Sequence, residues 1–314
     1  MFSIKQPSQI IFGENSAKKF PFPERPLVIS SKGCKSRNWL EYLELKDPIL
    51  FDNVESNPSI ETVYSIMSKF NKSEFNYIIG LGGGSSLDVA KYVGYKTLKK
   101  KIMIPTTFGS GSEVTRISVL KVDGKKTSFH DDGIIPDIAI VDSNFLKNTP
   151  IEIIKNSAID ACAQCTEGYD SKNGNIYTKF LCNKAFDILE DAILTENYEK
   201  LALGSLIDGL GFGNCSTTLG HALSYVFSNE GYSHGHALAF TTTISHKFNN
   251  SIFYTRFKNL VKKMNFDKII LKQDPNEASK TILLDKKHLD NNPKIVNRVD
   301  IVSLLKKINT EDIF

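Results

Sequence analysis

The chain has 314 residues, 41% of them hydrophobic and 24% charged, with a formal net charge of +4. Those values suit a soluble globular protein of two domains or one large one. No long Lys/Arg block and no run of about 18 apolar residues occurs, so neither nucleic-acid binding nor a membrane span is expected. The start lacks a basic segment followed by a long apolar core, so no secretion signal is expected. The five cysteines, at 34, 162, 165, 182 and 215, are irregularly spaced and suit a reducing cytoplasm better than a disulfide framework.

In chain order, Ile10, Ile11 and Phe12 form a short apolar stretch that Gly13 breaks. Pro26 to Ser31 reads as a buried strand, the segment to about Leu45 as helical, and Ile49 to Phe51 as another strand. Ile60, Val63, Ile66, Met67 and Phe70 recur with a helical period. Tyr77 to Lys91 (YIIGLGGGSSLDVAK) reads as a strand, a tight glycine turn and a helix start. The run Lys99, Lys100, Lys101 reads as a solvated helix end, and Lys101 to Ile104 as a strand. Pro105 to Glu113 (PTTFGSGSE) is a loop dense in hydroxyls and glycines, and Ile134 to Asp142 gives one more strand. Strands alternating with helices predict a mostly parallel sheet covered on both faces, with ligands beyond the carboxyl ends of its strands.

From about Thr149 the pattern becomes helical. Ile151 to Tyr169, Tyr177 to Leu194, Leu201 to Phe212 and Thr217 to Phe227 are candidate helices, and Val299 to Ile308 is a last one. The predicted organisation is an α/β nucleotide-binding domain over 1–149 and an all-α domain over 150–314.

Two loops and one scattered set carry chemistry. Glycine at 82, 83 and 84 lets the backbone approach a bulky anion, and the following helix start presents free N–H groups, a seat suited to a diphosphate. The spacing is neither G-x-G-x-x-G nor G-x-x-x-x-G-K-[ST]. In the helical half, Asp160 and Gln164 share a helix face, and His221 and His234 follow, a plausible set for Fe²⁺ or Zn²⁺. Cys162 and Cys165, on a helix with no second pair, read as packing.

FGENSAKKF, FDNVESNPSIETV, GLGGGSSLDVAK, IPTTFGSGSEVT, PDIAIVDSNFLKNTP, AIDACAQCTEGY, GHALSY, YSHGHA and NNPKIVNRVDI occur in the order found in the iron-containing alcohol dehydrogenase family, which the chain resembles over essentially its whole length. The resemblance implies a dinucleotide-binding domain followed by a helical domain. It implies that Gly82, Gly83, Gly84 and Ser85 hold the diphosphate, with Asp88 on the following helix. Thr106, Thr107 and Ser110 would lie along the cofactor. It places the metal on Asp160, Gln164, His221 and His234, with Gln164 where His is usual. Tyr225 stands where many members have another His close to the substrate. Ser31 and Lys32 replace the Asp that favours NADH in many members, so NADPH is preferred and NADH acceptable.

Gln164 with HALSY and HGHA resembles a branch that includes phosphonoacetaldehyde reductases. A phosphonate would need basic partners, for which Arg116, Lys125 and Lys126 are the candidates, with Gln164 a further substrate contact. The chain is short for the family between His246 and Asn291. The expected activity is reduction of a small aldehyde to an alcohol by NAD(P)H with a divalent metal, in a cytoplasmic homodimer. Phosphonoacetaldehyde is the first candidate substrate. The alternatives are a general short-chain alcohol dehydrogenase, a lyase or cyclase like the related dehydroquinate synthases, and a nucleotide-binding protein that has lost its metal.

Overall fold

A computed structural model of the protein describes residues 1–71, 74–311 and 313. It divides into two compact units, Met1–Pro150 and Ile151–Phe314. The first runs β1 (Gln9–Phe12), α1 (Ser16–Lys19), β2 (Pro26–Ser30), α2 (Gly33–Ser36), α3 (Trp39–Leu43), β3 (Ile49–Phe51), α4 (Ile60–Lys69), β4 (Tyr77–Gly82), α5 (Gly84–Thr97), β5 (Lys101–Pro105), a hairpin of β6 (Ile117–Val122) and β7 (Lys125–His130), and β8 (Ile138–Val141). Six strands pair in parallel in the order β1-β8-β5-β4-β2-β3.

Leu27 and Ile29 enter one buried cluster with Ile78, Leu87, Ala90 and Met103. Val28, between them, enters the other with Ile79, Ile102, Ile140 and Trp39. Alternate residues of a strand feed opposite faces, and both faces are covered, so these strands read as unbroken apolar runs. After β3 the chain crosses back to the other side of β2 to lay down β4. The reversal of winding therefore falls between β2 and β4, the usual place for a ligand crevice in such sheets.

Several elements differ from the pattern expected. The helical stretch before Leu45 is two short helices, split at Asn38 (φ 54) and ended at Glu44 (φ 50). The β6–β7 hairpin was not expected, because KKTSFH is too polar to announce a strand. Its turn, Asp123 (φ 50) and Gly124 (φ 75), is the left-handed pair that a two-residue hairpin loop requires. The last strand begins only at Ile138, since Ile134 lies in a 3₁₀ turn capped by Asp131. Lys101 is not at a solvated helix end. It opens β5, is 8% exposed, and its ammonium lies 3.7 Å from Asp137.

Behind the hydroxyl-rich loop sits a buried charge cluster. The fully buried Lys91 donates to the carbonyl (3.4 Å) and hydroxyl (3.3 Å) of Thr115 and to the carbonyl of Ile117, and lies 3.4 Å from Asp88. Glu113 is 2% exposed, and its Oε1 meets no hydrogen-bond donor among the described residues. Burial pushes its carboxyl up to about 7, against the opposing pull of Lys91.

The second unit comprises α6 (Ile151–Asp170), α7 (Ile176–Thr195), α8 (Tyr198–Phe212), α9 (Leu219–Asn229), α10 (His234–Asn249), α11 (Tyr254–Met264), α12 (Pro275–Ile282), α13 (Lys286–Asn291) and α14 (Arg298–Thr310), with no strand among its described residues. The starts are written locally: Asn175 and Asn297 form capping boxes with Thr178 and Asp300, and Asp274 caps a helix opening on Pro275. Helix α10 was not expected, because three successive threonines disfavour a helix. It forms because it is buried and its hydroxyls turn inward: Thr241 donates to the Ala237 carbonyl (3.0 Å) and Thr243 to that of Ala239 (2.6 Å). Cys162 and Cys165 are buried, and burial raises both thiols well above the usual range, as packing rather than reactive groups require. No helix among the described residues is long and apolar enough to cross a membrane.

Glu113 supplies a test. Its folded-state carboxyl titrates near 7 instead of 4.5, so the stability tied to its neutral form is complete below about pH 4.5 and is lost as pH rises through about 7. Glu113→Gln should match the parent near pH 4 and exceed its stability by about 3 kcal/mol above pH 8, measured by urea unfolding. A stability difference that does not change over this range would remove ionisation from the explanation.

Candidate functional site

The first unit brings the two small-residue loops together. Gly82 (φ +150) ends β4, and Gly83 caps α5 without a side chain, which leaves the helix's first N–H groups open. A Cβ on Gly82 would lie 2.7 Å from the Ser86 hydroxyl, one on Gly83 3.0 Å from the Thr107 hydroxyl, and one on Gly84 3.0 Å from Ser110. The glycines are thus where the turn and the hydroxyl loop nearly touch. Ser85 lies on the first turn of α5, partly exposed, and Thr106 is buried at the end of β5. Asp88 binds inward: Oδ1 accepts from the Ser112 hydroxyl (2.5 Å) and Oδ2 from the Val119 N–H (2.9 Å). Ser31 follows β2 partly buried, and Lys32 is exposed before α2. Arg116 pairs with Asp132 at 3.1 Å, while Lys125 and Lys126 are exposed on β7, Lys126 opposite Lys121.

The second unit brings together Asp160, His221 and His234, whose ligand atoms lie within 4.8 Å of one another. Asp160 projects from the middle of α6, His221 from the first turn of α9, and His234 opens α10. The Asp160 Oδ1 is 3.7 Å from His221 Nε2 and 3.9 Å from His234 Nε2. Gly235 makes the last placement possible, since a Cβ there would collide with the Asn156 carbonyl of α6.

Both imidazoles are turned by a partner on Nδ1. His221 Nδ1 lies 2.5 Å from Glu167 Oε2, an acceptor only, so Nδ1 carries a proton and Nε2 is the nitrogen that faces Asp160. Ser224 gives its proton to the His221 carbonyl (2.8 Å), leaving its oxygen to accept from His234 Nδ1 at 3.4 Å. His221 Nε2 is buried with no hydrogen-bond partner among the described residues. An orphaned buried nitrogen beside a carboxylate and a second imidazole is the donor set a divalent cation takes, so these residues fit a metal. Burial lowers the basicity of His221, but Glu167 and Asp160 raise it further, to about 9. Burial likewise opposes ionisation of Glu167, yet His221 and the surrounding hydrogen bonds hold its carboxyl at about 2. Proton and cation therefore compete for the same His221 nitrogen.

Gln164, expected among the ligands or against the substrate, donates from Nε2 to Asp160 Oδ1 at 2.9 Å, and its Oε1 is buried without a partner among the described residues. The ring of Tyr225 lies parallel to that of His234, 6.0 Å away, and burial pushes its hydroxyl well above the usual range. Two groups escaped sequence reasoning. Glu167 is one, though it stands seven residues after Asp160 on the same helix face. His288 is the other. Its ring lies 6.2 Å from that of His221 and 5.9 Å from that of Tyr225, and its Nδ1 is 2.6 Å from Asp285, the residue that caps α13. A capping Asp three residues before a His was its only signal.

The sequence matches a family model described as iron-containing alcohol dehydrogenase over residues 7–143, and one described as Fe-containing alcohol dehydrogenase family, C-terminal, over residues 154–285. The 4-hydroxybutyrate dehydrogenase of Clostridium kluyveri is 31% identical over 270 residues, covering 73% of this chain and 70% of that protein. Lactaldehyde reductase of Escherichia coli is 28% identical over 207 residues, 56% of this chain and 53% of that one, so the chain spans about half the length of that relative. Among solved structures, sulfoacetaldehyde reductase from Bifidobacterium kashiwanohense, in complex with NAD+, is similar with a TM-score of 0.89 at 21% identity, over 99% of this chain and 100% of that one. The iron-containing alcohol dehydrogenase from Thermococcus thioreducens is similar with a TM-score of 0.87 at 22% identity, over 98% and 99%.

Gln164→His adds an imidazole beside Asp160 in place of a neutral amide. It should tighten Zn²⁺ or Fe²⁺ binding by about tenfold in a chelator competition, because imidazole is the better ligand for these ions. Unchanged affinity would mean that position 164 does not face the cation.

Proposed function

The chain belongs to the iron-containing alcohol dehydrogenase family and is an NAD(P)-dependent oxidoreductase, and on that premise we propose that it reduces a short aldehyde carrying an acidic tail to the primary alcohol, phosphonoacetaldehyde foremost. The observation that carries the reading is the convergence of Asp160 Oδ1, His221 Nε2 and His234 Nε2. A divalent cation held by these three, iron by family precedent, would supply Lewis acidity toward a carbonyl oxygen. The nicotinamide supplies the hydride.

The chain's own residues do the rest. Asp160 brings one negative charge to the cation, and Glu167 and Ser224 keep the two imidazoles presenting Nε2. Gln164 holds Asp160 in place. Tyr225 and His288 close the site with apolar ring surface and two polar tips, limiting water beside the reacting carbonyl. In the first unit, Gly82, Gly83, Gly84 and Ser85 offer backbone N–H groups to the cofactor diphosphate, with Thr106, Thr107 and Ser110 alongside. Lys32, exposed beside a partly buried Ser31 and with no carboxylate in that turn, admits a 2′-phosphate, so NADPH is preferred and NADH accepted.

Two relatives support the acidic tail. One is named for 4-hydroxybutyrate, a carboxylate, and another for sulfoacetaldehyde, a sulfonate. A screen of purified, metal-loaded protein should show NAD(P)H oxidation with phosphonoacetaldehyde, sulfoacetaldehyde or succinic semialdehyde at kcat/KM at least tenfold above that for propanal. Equal rates with the neutral aldehyde would sink the tail, and no oxidation with any would sink the reduction. Gly84→Ala should raise the KM for the nicotinamide about tenfold with metal content unchanged, since its Cβ would press on Ser110 where the cofactor loop closes.

A further inference from the structure

We propose that Glu167 is a positioning residue of the metal centre: one buried carboxylate both closes the N-terminal end of α9 and turns the His221 ring so that Nε2, not Nδ1, meets the cation. The proposal rests on the reading of Asp160, His221 and His234 as ligands.

Glu167 is completely buried on α6 and collects five donors from the start of α9. Oε1 accepts from the Thr218 hydroxyl (2.9 Å) and the Gly220 N–H (2.5 Å). Oε2 accepts from the Thr218 N–H (3.2 Å), the His221 N–H (3.3 Å) and His221 Nδ1 (2.5 Å). Thr218, the residue at the N-cap of α9, makes no side-chain cap of its own. A carboxylate from 51 to 54 residues upstream takes that part, where the helix dipole also favours an anion. Cap and ring clamp are one group, so the backbone that carries His221 and the ring that ends it are set together.

Gly220 belongs to the same device. A Cβ there would fall 2.6 Å from Glu167 Oε1 and 2.7 Å from the Thr242 hydroxyl, so only glycine lets the carboxylate come this close. Charge argues the same way. Asp160 brings one negative charge, while neutral imidazoles and the Gln164 amide bring none. Glu167 supplies the second, so a divalent cation would be balanced in a site where His221 and Glu167 are out of water.

The test uses the full chain stripped of metal and titrated with Co²⁺ against a chelator, with the visible absorption of bound Co²⁺ as a second readout. Glu167→Gln keeps the shape but sets an NH₂ among donors. Gly220→Ala keeps the charge but displaces it. Each should weaken Co²⁺ binding by about 10- to 100-fold and alter the absorption band, with helical content retained. Thr218→Val removes one cap bond and leaves the ring contact, so its Co²⁺ affinity should stay within about threefold of the parent while its Tm falls. If Glu167→Gln folds and binds Co²⁺ like the parent, the proposal fails. If it does not fold, Gly220→Ala decides on the same criterion. If Thr218→Val loses Co²⁺ as badly as either, capping and not ring orientation is the cause, and the proposal fails. A parent that takes up no Co²⁺ at all overturns the ligand assignment itself, a result distinct from every variant outcome.

Discussion

A carboxylate with no access to water is held in the helical unit by the start of a helix and the ring at its first turn. Moving an ion from water into such an interior costs several kcal/mol unless hydrogen bonds and an opposite charge replace its hydration. For Glu167 the replacement is complete, with backbone N–H groups, a hydroxyl and an imidazole on its two oxygens. The surrounding features follow from this contact. Gly220 has no side chain because the carboxylate occupies that space. His221 faces Asp160 through Nε2 because Nδ1 is taken.

Helix α6 supplies most of this centre from one stripe. Asp160, Gln164 and Glu167 are four and then three residues apart, so all lie on one face, two turns end to end. The ligand, its brace and the clamp of the second ligand thus move as one rigid element. The two imidazoles depend on separate approaches: His221 on α9 laid against Glu167, and His234 on the close seating of α10 on α6 that Gly235 permits.

The two units use buried acids in opposite ways. Glu113 and Glu167 are both 2% exposed or less, yet burial carries the first up to about 7 and the second is held at about 2. The difference lies in the donors that face them. Among the described residues Glu113 has an oxygen without a partner, with Lys91 committed to the carbonyls of Thr115 and Ile117, whereas Glu167 has donors on both oxygens. Small residues follow the same logic of close approach. The glycines of the β4–α5 turn bring backbone to hydroxyl side chains, and those at 220 and 235 bring helix to helix.

Much of this was legible in the sequence because the signals are local. Apolar runs on β2, β4 and β5 mark a sheet buried on both faces, three glycines after a strand mark an anion seat, and the spacing of Asp160 and Gln164 marks a shared helix face. The order of motifs over the whole chain pointed to the family. Contacts between residues far apart in the chain had to come from tertiary structure. Glu167 is polar on a helix and becomes a clamp only when α9 is laid against it, and His288 becomes a neighbour of the site only when α13 folds back. Gln164 shares a helix face with Asp160 by spacing, and the hydrogen bond between them is what packing adds. Helix α10 was not singled out within the helical half, because its threonines suit a helix only once burial turns the hydroxyls of Thr241 and Thr243 onto their own turns. A one-dimensional pattern records which face a residue takes, and the partner on that face is chosen by packing.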